Sequence, residues 1–175
     1  MLEKIKQTAN YLKERTNFQP EVGIILGTGL GNLGNEIKAE HAIPYEEIPN
    51  FPVSTVEGHS GQLIFGELGG KKVVAMQGRF HFYEGYDMNE CVFPVRVMKL
   101  LGIETLFVSN ASGGVNPEFE VGEIMLISDH INLFPTNPLM GKNYEELGPR
   151  FPDMSEPYDL KLIARAEKIA ANNNI

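Results

Sequence analysis

Glu21-Val22-Gly23-Ile24-Ile25-Leu26-Gly27-Thr28-Gly29-Leu30-Gly31 decides the fold class of this 175-residue chain. The first six residues read as a buried strand, and the strand runs straight into a glycine loop whose backbone amides can face an anion at close range. Thr28 adds a hydroxyl donor. Gly29, Gly31 and Gly34 also satisfy the dinucleotide spacing G-x-G-x-x-G, a weak signal on its own. A dinucleotide site wants a second strand ending in an acid about 20 residues further on. Here Pro44, Pro49 and Pro52 break up that region and leave Glu46 and Glu47 in an irregular segment. No Lys-Ser or Lys-Thr follows the glycines, which excludes a Walker loop.

Working outward, the chain alternates helix and strand signals. Leu2, Ile5, Ala9 and Leu12 recur at spacings of three and four, so the N-terminus reads as an amphipathic helix covering the first strand. Gln62 to Leu68 and Lys72 to Met76 read as strands of a hairpin joined by Gly69-Gly70. Asp87 with Glu90 forms a capping-box signature for a helix ending at Leu101, with Gly102 as its stop. Pro94 must kink that helix or move its start. Leu106-Phe107-Val108 reads as a buried strand ending at Asn110, and Glu123 to Ile127 as another. A last helix begins near Ser155 and Pro157, with Leu160, Ile163, Ala164 and Ile169 on one face. This pattern predicts an α/β sandwich around a central mixed sheet, built as one domain over 1–175.

The hairpin delivers Met76-Gln77-Gly78-Arg79-Phe80-His81-Phe82-Tyr83-Glu84-Gly85-Tyr86. On an extended segment Arg79, His81 and Tyr83 share a face that can converge on one ligand or be simply solvated, with Phe80 and Phe82 turned into the core. An arginine fork suits phosphate oxygens, and a histidine can donate to the same anion. Glu84 fits either a partner that sets the Arg79 fork or a solvated carboxylate. In sheets of this class ligands sit beyond strand ends, and Thr28, Arg79, Asn110 and Ala111 all follow a predicted strand.

Composition narrows the partners. Fifteen basic against 23 acidic residues give a net charge of −8, which disfavours nucleic acid or an anionic membrane, so any anion site must be local. The apolar runs fall short of the ~20 residues a membrane helix needs, the N-terminus has no apolar signal core, and the chain reads as cytoplasmic. Cys91, the only cysteine, reads as a small buried hydrophobe. His41 reads as a surface residue and His130 as a packing residue. The histidines show no paired metal spacing, and no metal is expected.

Four blocks carry a family resemblance: Gly27 to Gly31, Val56-Glu57-Gly58-His59, the Met76 to Tyr86 run, and Thr105 to Pro117 with Ser109-Asn110-Ala111-Ser112-Gly113-Gly114-Val115-Asn116. Glu120 to Met125, Asp129-His130-Ile131-Asn132 and Arg150 to Ser155 follow in the same order. Together they resemble the N-terminal part of a purine nucleoside phosphorylase of the trimeric, 6-oxopurine type.

The resemblance implies a phosphorylase-type three-layer α/β sandwich whose C-terminal part is missing. It implies phosphorolysis of inosine-type and guanosine-type nucleosides and their deoxy forms, for purine salvage, with inorganic phosphate as co-substrate and no cofactor. It places phosphate on Thr28, His59, Arg79, His81 and Ala111, with Arg79 and His81 catalytic. Nucleoside contacts fall to Tyr83, Asn110, Ala111 and Phe151, the last reaching a neighbour's pocket in a homotrimer. Thr28 stands where relatives commonly carry serine, and Ser112 where a small apolar residue is common. The purine-recognition residues would lie beyond Ile175, so exposed sheet edges are expected and activity of these 175 residues alone is not. Two alternatives are a methylthioadenosine-type phosphorylase and an inactive phosphate-binding fragment.

Overall fold

In the computed structural model, which describes residues 1–53 and 61–175, Leu2–Thr16 forms helix α1 and buries Ile5, Ala9 and Leu12 as their spacing predicts. Burying Ile5 and Leu12 stabilises the unit by on the order of 1.5–3 kcal/mol each. The helix stops at Asn17, left-handed at φ 48°, whose N–H bonds to the Lys13 carbonyl. The chain divides into two compact units, Met1–Ser112 and Gly113–Ile175.

The first unit is built on five strands: β1 (Val22–Leu26), β2 (Lys38–Pro44), β3 (Gln62–Leu68), β4 (Lys71–Gln77) and β5 (Thr105–Val108). Their order across the sheet is β2-β3-β4-β1-β5. β2, β3 and β4 are antiparallel neighbours, whereas β1 is parallel to both β4 and β5. The sheet is therefore mixed, as the sequence predicts. Gly69 and Gly70 turn the β3–β4 hairpin at φ 58° and 76°, a pair of positive values that a two-residue hairpin turn requires and glycine supplies at least cost.

One sheet face packs Ile24, Leu26, Ile64, Val73 and Ala75 with Ile37. Helix α2 (Met88–Leu101) covers the opposite face: a Cβ on Gly23 would lie 3.1 Å from the Met98 sulfur and 2.7 Å from Ile103 Cδ1. α1 packs alongside α2. The capping box at the start of α2 is complete, with the Asp87 carboxylate accepting from the Glu90 amide and the Glu90 carboxylate from the Asp87 amide, each at 2.8 Å. The helix runs from Met88 through a buried Pro94 to Leu101, with Gly102 as its C-cap, so the proline does not move its start.

Several expectations need correction. Lys38–Pro44 is a strand despite its polar composition; it lies at the sheet margin, where exposed side chains and a terminal proline are tolerated. β5 is not buried: among the described residues it is the opposite edge, paired with β1, and Leu106, Phe107 and Val108 are exposed. Residues after Gln77 leave the sheet, and Phe82–Glu84 form a 3₁₀ turn that leaves Phe82 39% exposed instead of in the core.

In the second unit, Glu123 to Ile127 adopts no strand, since no neighbouring segment there offers a ladder. Its helix α3 (Leu160–Asn173) begins later than Pro157 suggests, because the Asp159 carboxylate caps the amides of Lys161 and Leu162 at 2.8 and 3.0 Å. Leu160 and Ile169 of α3 are exposed within this unit. The Arg150 guanidinium donates to the carbonyls of Leu139 and Gly141 at 2.9 and 2.7 Å and gathers the irregular stretch before the helix.

Candidate functional site

Three parallel strands end side by side. Val22 registers with both Val73 and Thr105, so β1, β4 and β5 point the same way and release the segments 27–31, 78–81 and 109–111 at one edge. The chain passes closest at Gly27, where an added Cβ would lie 2.1 Å from the Ser109 carbonyl oxygen. No other residue fits there without moving one backbone away from the other. The Ser109 hydroxyl accepts from the Gly27 amide at 2.9 Å and donates to the Ile25 carbonyl at 3.1 Å. Its own amide bonds to the same Ile25 carbonyl at 3.0 Å.

Arg79 joins the third segment. Its Nη1 donates to the Ser109 carbonyl at 2.9 Å and its Nε donates to His81 Nε2 at 2.8 Å. A guanidinium nitrogen can only donate, so His81 Nε2 carries the lone pair and the ring proton resides on Nδ1. That proton faces the Glu84 carboxylate. The sequence left Glu84 open between pairing with Arg79 and solvation; it acts on Arg79 through His81. The Tyr83 ring stacks on the His81 ring at 4.8 Å while remaining 82% exposed.

Beneath these polar groups lies an aromatic floor. Phe80, between Arg79 and His81, is buried against Tyr45 at 5.2 Å and Tyr86 at 5.4 Å, and Phe51 joins them. Edge and tilted ring pairs of this kind contribute roughly 0.5–1.5 kcal/mol each beyond their burial. The Tyr45 phenol donates to the Gly78 carbonyl at 2.6 Å, pinning the residue at which β4 turns into the arginine segment. Burial pushes the Tyr45 phenol well above the usual tyrosine range, so it stays a donor. Alternation thus holds at Arg79, Phe80 and His81 and fails at Phe82, where the 3₁₀ turn begins.

Of the residues expected to bind, Thr28, Asn110 and Ala111 are exposed at the same strand edge as Arg79 and His81. His59 and its block lie outside the described residues. Phe151 belongs to the second unit, where it is 87% exposed and not tucked against its own neighbours. His130, expected to pack, shares a 2.6 Å hydrogen bond between its Nδ1 and the Tyr158 hydroxyl, with ring centres 5.5 Å apart. His41 is half-buried on β2. Cys91 is half-buried as well, and burial, followed by the carboxylates of Asp87, Glu90 and Glu84, pushes its thiol upward, which fits an inert side chain.

Sequence reasoning missed Ser109 and Tyr45. A serine directly after the apolar run Leu106-Phe107-Val108 is a usable signal, because a hydroxyl at a strand end has backbone groups within reach. Tyr45 follows Pro44 in a segment that looked irregular, and nothing local marks it.

The arrangement offers a guanidinium, a hydroxyl and loop amides at one strand edge, the equipment for an oxyanion of tetrahedral shape. Among the described residues, no group of three or more His, Cys, Asp or Glu side chains could hold a metal ion, and no helix is long and apolar enough to cross a membrane.

A family model described as "Phosphorylase superfamily" matches residues 21–175. The chain is 56% identical over its full length to purine nucleoside phosphorylase 1 of Bacillus subtilis, of which it spans 65%. The structure superposes with a TM-score of 0.92 on isoform 2 of the Schistosoma mansoni purine nucleoside phosphorylase in complex with cytosine and ribose-1-phosphate, at 49% identity over 98% of this chain and 61% of that one. The Schistosoma mansoni enzyme in complex with inosine gives the same TM-score at 47% identity and the same coverage. The chain therefore spans less than two thirds of the length of these relatives.

Proposed function

This chain belongs to the phosphorylase superfamily, and from that premise we propose that it is the phosphate-binding part, over 1–175, of a trimeric purine nucleoside phosphorylase of the 6-oxopurine type. The observation that carries the proposal is the meeting of the Gly27–Gly31 loop, Arg79 and the Ser109–Ala111 segment at the ends of three adjacent parallel strands. The names of the relatives supply the substrate class.

Phosphorolysis transfers a pentosyl group. A phosphate oxygen forms a bond to C1′ of the ribose as the bond from C1′ to the purine nitrogen breaks; the electron pair leaves with the base, which takes up a proton. The products are a free purine and ribose 1-phosphate, inverted at C1′. Positioning the dianion beside a sugar that becomes cationic is most of the catalysis. Arg79, Thr28, the loop amides and the Ala111 amide hold phosphate. His81 has Nε2 toward Arg79 and Nδ1–H toward Glu84, so it sets the direction of the fork in place of the phosphate contact that the resemblance implies for it. His59 completes the phosphate shell, Tyr83 and Asn110 face the nucleoside, and Phe151 reaches a neighbour's ribose in the trimer. Inorganic phosphate is the co-substrate, the chemistry asks for no further cofactor, and the setting is cytoplasmic.

Titration calorimetry of inorganic phosphate into the purified chain tests this. Saturable binding that Arg79→Ala abolishes supports the reading, and no heat of binding with the wild-type chain sinks it. A full-length form must also release hypoxanthine from inosine only when phosphate is present.

A further inference from the structure

We infer that Ser109 is a positioning residue of the phosphate site: it touches no anion itself but fixes, through one side chain and one carbonyl, the two groups of donors that do. The inference rests on the phosphate reading of the strand edge.

The geometry is specific to this position. The Ser109 hydroxyl has one proton and two lone pairs. The proton goes to the Ile25 carbonyl at 3.1 Å, and a lone pair takes the Gly27 amide at 2.9 Å. Gly27 is the first residue of the glycine loop, so its amide direction sets where the following Thr28 and Gly29 amides begin. The Ser109 carbonyl takes Arg79 Nη1 at 2.9 Å. That bond occupies one arm of the fork and fixes the plane in which Nη2 projects. The glycine loop and the arginine segment reach Ser109 from the same side of β5, because β1 lies between β4 and β5 in the sheet, so Arg79 spans the end of β1 to meet the Ser109 carbonyl. With Gly27 as close to the Ser109 carbonyl as a missing Cβ allows, neither segment can shift without breaking a bond to this serine. Alanine at 109 would keep the carbonyl and lose the hydroxyl, leaving the Gly27 amide without its partner in a half-buried place. Threonine keeps the hydroxyl.

The test compares the wild-type chain with Ser109→Ala and Ser109→Thr, using inorganic phosphate as the probe and amide hydrogen exchange as a second readout. In Ser109→Ala, phosphate affinity is expected to fall about tenfold, the loss of roughly one net hydrogen bond at a charged site. Exchange is expected to quicken at 27–31 while the β3–β4 hairpin keeps its protection. Ser109→Thr is expected to recover most of the affinity, which a role in bulk stability alone would not produce. If wild type and Ser109→Ala bind phosphate within about twofold of each other, the inference falls and the phosphate reading stands. Equal exchange at 27–31 in the two proteins overturns it as well. If the wild-type chain binds no phosphate, the reading and the inference fall together.

Discussion

The phenol of Tyr45 donates a 2.6 Å hydrogen bond to the carbonyl of Gly78, joining the segment after β2 to the residue where β4 releases the arginine segment. Removing the hydroxyl strands that carbonyl above an aromatic floor. Tyr45→Phe should cost about 1 kcal/mol in unfolding free energy, read as a lower urea midpoint at pH 7. The direction of the phenol's shift adds a pH test. A raised native value means that its contribution is fully present below the ordinary tyrosine range near 10 and is lost as pH climbs above it, because the unfolded chain releases the proton first. Wild type should therefore lose stability between about pH 9 and 11 more steeply than Tyr45→Phe; parallel curves would refute the assignment.

Arg79→Lys retains the charge and loses the fork. Since Arg79 serves the Ser109 carbonyl and His81 with two different nitrogens, an ammonium cannot hold both and also face an anion. Phosphate affinity should drop about tenfold or more, with the melting temperature little changed. Calorimetry and thermal denaturation on the same preparation decide it.

His81 should be found as the Nδ1–H tautomer. Long-range proton–nitrogen NMR of the imidazole reads this directly, and Glu84→Ala should shift the ring toward a mixture by removing the carboxylate that faces Nδ1. An Nε2–H ring in the wild-type protein would contradict the Arg79 contact.

Phe151, at 87% exposure, contributes little to its own unit. Phe151→Ala should change unfolding free energy by no more than about 0.5 kcal/mol. Its effect should appear instead in nucleoside binding or self-association of a full-length form, measured by sedimentation. A loss of 2 kcal/mol or more in the isolated chain would assign the ring an internal packing role.

Cys91 should resist alkylation at neutral pH. Its raised thiol keeps the thiolate scarce, so the rate with iodoacetamide should stay low at pH 7 and climb only above the ordinary thiol range.

Elements with a single dominant period were legible from sequence. The three- and four-residue recurrence of Ile5, Ala9 and Leu12, the Gly69-Gly70 turn and the Asp87–Glu90 box each state their structure locally, and each appears where expected. β2 was not legible because Lys38-Ala39-Glu40-His41 has neither an apolar run nor alternation. It is a strand because β3 offers it a ladder, which is a tertiary fact. The opposite error arose at Glu123 to Ile127, where apolar content suggested a strand and no ladder exists within its unit.

The site divided in the same way. Arg79 and His81 could be picked out by residue type and spacing, and Phe80 locks their directions. The link from Arg79 to Ser109 runs across 30 residues and depends on strand order, so spacing could not show it.

The pairing of β1 has a consequence for the order of biosynthesis. β1 leaves the ribosome before either of its neighbours, β4 and β5, has been translated, since Val22 waits for Val73 and Thr105. Its glycine loop is thus among the first functional segments made and among the last to acquire a shape. Until Ser109 emerges, the Gly27 amide has no hydroxyl to meet, and the apolar strand before it has neither of its sheet neighbours. Non-local pairings of this kind fold slowly and expose apolar side chains and unpaired strand edges meanwhile. Replacing Ser109 should then lower the yield of folded protein during synthesis by more than equilibrium stability accounts for, and pulse-labelled folding of wild type against Ser109→Ala checks this.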